Sequence, residues 1–215
     1  MLRILIADDH DVVRRGLRDQ LNRNVHWDVC GEARDGREAV RLALQLEPDI
    51  VVMDLSMPEL NGLEATRQIH RCLPKSEILI FSRHESEQTI REVLSAGARG
   101  YVLKSDADYH LTNAVKALAH HKPYFTGGGS DTLLDAFLRV NARPGEEYVF
   151  HSLTGREREI VQMLAEGKSN KEVANVLEIS VKTVETHRAS AMRKLDLNSI
   201  VELVHYAIRN QFVEA

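Results

Sequence analysis

The first half of this 215-residue chain alternates short apolar runs with amphipathic segments, and that alternation leaves few architectures open. Arg3–Ala7, Trp27–Ala33, Ile50–Asp54, Glu77–Ser82 and Gly100–Leu103 read as strands. Val12–Asn22, Glu38–Leu46, Leu63–Cys72, Glu85–Ala96 and Ala107–His120 read as the helices between them. Runs such as Ile50–Met53 and Ile78–Phe81 carry no polar face, which suits strands buried on both sides. The pattern predicts an α/β, flavodoxin-like doubly wound fold: a five-stranded parallel sheet with helices on both faces. Gly97 and Gly100 punctuate the turn into the fifth strand. A dinucleotide site is excluded, because no G-x-G-x-x-G follows the first strand.

Polar residues stand directly after the apolar runs. Asp8 and Asp9 follow the first, Asp54 follows the third, Ser82 ends the fourth and Lys104 follows the fifth. In an open parallel sheet all of these emerge at one edge, the carboxyl ends where such sheets bind ligands. Three carboxylates at close range repel one another and need a counter-charge. Oxygen-only donors favour a hard cation such as Mg²⁺, and Asp54 is the candidate nucleophile, since a carboxylate can carry a phosphoryl group as an acyl phosphate. Lys104 would neutralise phosphoryl oxygens and Ser82 would donate a hydrogen bond to one. Asp11 reads instead as the cap of the helix that follows.

The stretches ILIADDH, VVMDLSMPELNGLEA, ILIFS and GARGYVLK resemble the receiver domain of two-component response regulators. The resemblance implies that Asp54 accepts phosphate from a sensor histidine kinase. It implies that Asp9, Asp54 and the backbone carbonyl of Ser56 ligate Mg²⁺, with Asp8 acting through water. It also implies that Ser82 and Tyr101 form a switch pair and that Lys104 binds the phosphate. Haloacid-dehalogenase-type phosphatases share the aspartyl-phosphate chemistry but place a second acid two residues after the nucleophile. Ser56 occupies that position here, so the chain is not expected to be an enzyme.

Length fits two domains, and the net charge of −4 is not extreme. Cys30 and Cys72 lack metal or disulfide spacing, which suggests a reducing, cytoplasmic setting. No apolar stretch approaches a membrane span, and the chain starts directly in a strand, so neither a membrane partner nor a signal peptide is expected. The character changes between Lys122 and Phe150. Gly127–Ser130 reads as a flexible joint. Thr132–Val140 reads as a short helix whose Leu134 and Phe137 pack on a neighbouring domain, and Arg143-Pro144-Gly145 ends it. The expected organisation is a phosphoacceptor domain over 1–121, a linker over 122–149, and a small all-α domain over 150–215.

That last segment reads as four helices. Thr154 and Glu157 have capping-box spacing, Ser169 opens the second helix, Ser180 caps the third and Ser199 starts the fourth. Val201, Leu203, Val204 and Ile208 would form the fourth helix's apolar face. The short turn at Glu178–Ser180 suggests helix-turn-helix geometry. With Val184 and Ala191 inward, at ~100° per residue Lys182, Glu185, Thr186, Ala189 and Arg193 point outward, while Arg188 lies near the inner edge. His187 falls on the apolar side as a structural residue. From His151 onward nine Lys or Arg face nine Asp or Glu, but Val181–Leu195 carries four basic residues against one acid, a net of +3.

The stretch LTGREREIVQMLAEGKSNKEVANVLEISVKTVETHRASAMRKL resembles the LuxR-type DNA-binding domain, and the order of the two domains resembles the NarL/FixJ class of response regulators. By that resemblance Ser169, Asn170 and Lys171 help fix the DNA backbone. Lys182, Thr183, Glu185, Thr186, Arg188, Ala189 and Arg193 join them as DNA-facing residues, and the fourth helix contributes to a homodimer on paired half-sites. Phosphorylation would shift the face built from the fourth helix, fifth strand and fifth helix, and so switch transcription, with RNA polymerase as a further candidate partner. The competing reading is a signalling module acting through protein contacts, with a DNA-binding tail that no longer functions; the tail's neutral charge favours it.

Overall fold

A computed structural model describes residues 1–83, 87–126, 153–210 and 212–213. The chain divides into two compact units. In the first, strands β1 (Leu2–Ala7), β2 (Trp27–Ala33), β3 (Ile50–Met53), β4 (Glu77–Ser82), β5 (Gly100–Leu103) and β6 (Tyr124–Phe125) form one sheet in the order β2-β1-β3-β4-β5-β6. All pairings are parallel. Between strands run α1 (Asp11–Leu21), α2 (Gly36–Leu46), α3 (Gly62–Cys72), α4 (Glu87–Ser95) and α5 (Ala107–Ala119). The first five strands have the 2-1-3-4-5 order of flavodoxin-like sheets, whose switch point lies between β1 and β3.

Alternation along the strands divides the core. Ile4, Ile6, Ile50, Val52, Leu79, Phe81 and Val102 pack with Leu17 and Leu21 of α1 and with Leu111, Val115 and Leu118 of α5. Side chains of opposite parity, including Leu5, Val51, Ile80 and Tyr101, therefore face the α2–α4 side. Each Ile or Leu buried here contributes about 1.5–3 kcal/mol. Between β1 and β2 the register shifts at Cys30, whose thiol lies 3.4 Å from the Ile4 carbonyl.

In this first unit two details differ from the sequence reading. The sheet has six strands, because Tyr124–Phe125, assigned above to the linker, pairs with β5. Asp11 is the first residue of α1 and not its cap; His10 holds the cap position without a side-chain cap bond. The exposed Asp11 carboxylate pairs instead with the buried guanidinium of Arg14, three residues on. The Thr132–Val140 helix, with Leu134 and Phe137, and the start of the Glu85–Ala96 helix lie outside the described residues.

Among the described residues the second unit contains α6 (Gly155–Ala165), α7 (Asn170–Val176), α8 (Val181–Lys194) and α9 (Ile200–Arg209). Thr154 and Ser169 both form complete capping boxes, with Glu157 and Glu172, while Ser180 and Ser199 each accept a backbone N–H three residues on. Ile160, Val161, Leu164, Val173, Ala174, Val184, Ala191, Leu203 and Ala207 close one apolar core. Val201, expected inward, is 59% exposed; the inward row of α9 runs through Leu203 and Ala207.

Candidate functional site

At the carboxyl edge of the sheet the expected residues meet. Asp8 N–H donates to the Ala33 carbonyl at 3.1 Å and Asp54 N–H to the Ala7 carbonyl at 2.8 Å, so the backbone of three strands fixes where both acids begin. Lys104 opens a 3₁₀ turn after β5 and inserts between them: its Nζ lies 2.7 Å from Asp8 Oδ2 and 2.8 Å from Asp54 Oδ2. The ammonium also sits 5.8 Å from the centre of the Phe81 ring. Asp54 Oδ1 accepts the Leu55 N–H at 2.8 Å, leaving its second oxygen to the lysine.

Burial pushes the Asp54 carboxyl up to about 6; Lys104 opposes this, and Asp8 and Asp9 add to it. Burial alone would lower Lys104, but the two carboxylates outweigh it and raise its pKa. Asp9 is exposed and its Oδ1 lies 2.6 Å from His10 Nδ1. Asp8, Asp9, His10 and Asp54 each place a ligand atom within 4.8 Å of the others. Ser82 and Tyr101 are fully buried, Ser82 at the end of β4 and Tyr101 paired across the ladder with Ile80. Ser56 lies half-buried two residues beyond Asp54.

Three supports escaped the sequence reading. Arg14, 5% exposed, donates from Nη1 to the Asp8 carbonyl at 2.7 Å and pairs with Asp11 and, at 3.6 Å, with Glu32. Gly62 brings the loop after Asp54 back onto it: a Cβ there would lie 1.8 Å from the Asp54 carbonyl oxygen, so only glycine fits. Thr126, just past β6, bonds to the backbone of Tyr101 and Leu103. Arg14 had a signal in its helical position; Thr126 had none.

In the second unit α8 presents the expected face. Val184 and Ala191 are buried, Lys182, Glu185, Thr186, Ala189 and Arg193 are exposed, and Thr183, His187 and Arg188 are half-buried. The Thr186 hydroxyl donates to the Lys182 carbonyl at 2.9 Å. Glu178, with φ 52°, supplies the left-handed turn between α7 and α8. Lys171 is exposed, and Ser169 spends its hydroxyl on Glu172. The Asn170 side-chain oxygen is buried without a partner among the described residues. Lys194, counted in the basic stripe, is committed to Glu157 at 2.7 Å. Burial would raise Glu157, but Lys194 and the Thr154 N–H dominate and bring it down to about 2.

Residues 4–116 match the response regulator receiver domain, and residues 151–207 match the luxR family of bacterial regulatory proteins. The transcriptional regulatory protein LiaR of Bacillus subtilis is 38% identical over 215 residues, covering 99% of this chain and 100% of LiaR. The oxygen regulatory protein NreC of Staphylococcus carnosus is 38% identical over 216 residues with the same coverage. Among solved structures, RcsB from Salmonella enterica serovar Typhimurium, bound to promoter rprA in the presence of the phosphomimetic BeF₃⁻, is similar with TM-score 0.60 and 27% identity, over 95% of this chain and 97% of that one. A LuxR-family two-component response regulator from Aurantimonas sp. SI85-9A1 is 35% identical with TM-score 0.57, over 66% of this chain and 98% of that one. With both domains matched in this order and relatives aligned along their whole length, the chain belongs to the response regulators that join a receiver domain to a LuxR-type DNA-binding domain.

Proposed function

We propose that Asp54 is the phosphoacceptor and that its phosphorylation by a sensor histidine kinase switches DNA binding or dimerisation of the C-terminal unit. The observation that carries this is the Lys104 ammonium held between Asp8 and Asp54, 2.7 and 2.8 Å from their oxygens. A lysine placed to balance two buried acids is also placed to balance a phosphoryl group on one of them. The donor set fits a hard divalent cation, since carboxylate oxygens converge within 4.8 Å. Asp9, Asp54 and the Ser56 carbonyl would hold Mg²⁺, with Asp8 acting through water. Bound there, Mg²⁺ supplies positive charge to the phosphoryl oxygens.

An Asp54 carboxylate oxygen attacks the phosphorus of a phosphohistidine; the O–P bond forms as the N–P bond breaks and the imidazole leaves with the electron pair. Lys104 then transfers a hydrogen bond from Asp54 Oδ2 to a phosphoryl oxygen, and Ser82 donates to another. Tyr101 fills the space behind Ser82, and the α4–β5–α5 face shifts. The chain carries the group without turning over an external substrate. Residues 1–121 form the phosphoacceptor domain, extended here by β6 beyond that boundary, 122–149 the connection and 150–215 the DNA-binding domain.

On α8, Lys182 and Arg193 are placed for phosphates, Glu185 for cytosine, and Thr186 for a thymine methyl. Thr183, Arg188 and Ala189 flank them, and Ser169, Asn170 and Lys171 approach the backbone from α7. RNA polymerase is a further partner of such a cytoplasmic regulator. No helix among the described residues is long and apolar enough to cross a membrane.

The test joins two readings. Acetyl phosphate with Mg²⁺ should add one phosphoryl mass to the wild type and none to Asp54→Asn. The phosphorylated chain should then enrich a shared sequence from a random duplex pool. An unmodified carboxyl in folded protein, or identical DNA affinity in both states, sinks the proposal.

A further inference from the structure

We infer that β6 is an output strand of the receiver unit and that Thr126 is the positioning residue coupling it to the phosphorylation site, an inference that rests on the phosphoacceptor role of Asp54. β6 lies after the receiver match, which ends at 116, and before the LuxR match, which begins at 151. Its two residues pair with Gly100 and Tyr101 of β5. The ladder enters through Tyr124 N–H to the Arg99 carbonyl at 3.1 Å and continues through Thr126 N–H to the Tyr101 carbonyl at 2.9 Å.

There the strand ends, and a side chain replaces the next rung. The Leu103 N–H donates to the Thr126 hydroxyl at 3.2 Å, and that hydroxyl lies 3.4 Å from the Tyr101 carbonyl. One residue, 6% exposed, thus grips β5 on both sides of Val102. Leu103 is directly followed by Lys104, which bonds Asp54; Tyr101 is the fully buried aromatic of the expected switch pair. A displacement of either changes the geometry that Thr126 requires.

The opposite end of the coupling is covalent. Thr126 is followed by residues 127–152, which run to the DNA-binding unit. A two-residue edge strand is marginal by itself, so its formation depends on the partner strand's position. The Tyr124 hydroxyl, 2.8 Å from His110 Nδ1, gives β6 a second anchor on α5. The strand therefore touches two of the elements expected to shift, β5 and α5. Whichever state of β5 holds the rung best is also the state in which the linker starts from a fixed point.

The test uses the full chain as wild type, Thr126→Val, Thr126→Ser and Tyr124→Phe. Valine keeps the shape and loses the hydroxyl, whereas serine keeps it. Each is treated with acetyl phosphate and Mg²⁺, and intact mass gives the extent of phosphorylation. Affinity for a duplex selected by the wild type is then measured with and without phosphorylation. All four should phosphorylate alike. Thr126→Val should lose about fivefold of the phosphorylation-dependent change in DNA affinity, the size of one net hydrogen bond. Tyr124→Phe should lose a smaller part, and Thr126→Ser should keep it. A merely structural threonine would lower stability, read by Trp27 fluorescence in urea, and leave that ratio intact. A phosphorylated Thr126→Val with the wild-type ratio, or a Thr126→Ser as impaired as valine, overturns the inference alone. A wild type that takes up no phosphoryl group overturns the underlying reading and this inference with it.

Discussion

Replacing Asp54 by asparagine should make the receiver unit more stable even though it removes the proposed phosphoacceptor. Burial raises this carboxyl from 3.8 to about 6, against the pull of Lys104 and with the help of Asp8 and Asp9. At neutral pH the folded chain therefore holds an anion that the unfolded chain keeps fully hydrated. The shift of about two units corresponds to about 3 kcal/mol at ~1.4 kcal/mol per unit. Because the folded pKa is the higher one, the cost is absent well below pH ~3.8, grows through the window up to ~6, and is complete above it. Asparagine has the shape of the protonated acid and no charge, so it removes the cost. Its amide must still find partners beside Lys104, which leaves an expected gain of about 1–3 kcal/mol.

The assay is unusually direct. Trp27 is the single tryptophan of the chain, and it lies 8% exposed in the core shared by α1 and α5. Its fluorescence in a urea titration reports the sheet unit and not the helical one. In the presence of a chelator, Asp54→Asn should show the higher midpoint at about pH 7.5, and the gap should narrow to roughly half near pH 5. A lower midpoint for the variant, or a gap of equal size at both pH values, would show that Lys104 more than offsets the burial. The electrostatic account of the pocket would then be wrong.

Gly62→Ala places a methyl group 1.8 Å from the Asp54 carbonyl oxygen, so the same titration should show a loss above about 3 kcal/mol, with phosphorylation impaired; a wild-type midpoint would mean the loop relaxes freely. Glu157 is held at about 2 against an ordinary 4.5, so it stabilises the helical unit above pH ~4.5 and that contribution disappears as pH falls toward ~2. Glu157→Gln should cost about 1–2 kcal/mol at neutral pH, read as faster hydrogen exchange of α6 amides, with the difference vanishing in acid. Lys182→Ala and Arg193→Ala should each reduce the slope of log affinity against log salt by about one on any duplex, while Glu185→Ala should change sequence preference and not the slope. Wild-type binding with no salt dependence would favour a protein-contact module over a DNA reader.

How far such a pocket can be read from sequence depends on whether its determinants are local. Asp8, Asp54, Ser82 and Lys104 were legible because a parallel sheet forces every strand end to one edge, so position along the chain becomes position in space. The face of α8 was legible for the same kind of reason: Val184 and Ala191 fix its rotation, and Lys182 and Arg193 follow. Where a remote partner decides, the pattern gave no warning. Lys194 looks like part of a basic stripe until Glu157, thirty-seven positions earlier, claims it. Asp11 looks like a cap until Arg14 takes it. β6 has two residues and no periodicity, and only an open edge on β5 makes it a strand. These non-local contacts bear directly on regulation. A charge spent on Glu157 cannot meet a phosphate, and a two-residue edge strand can be made or broken by a shift in the strand beside it.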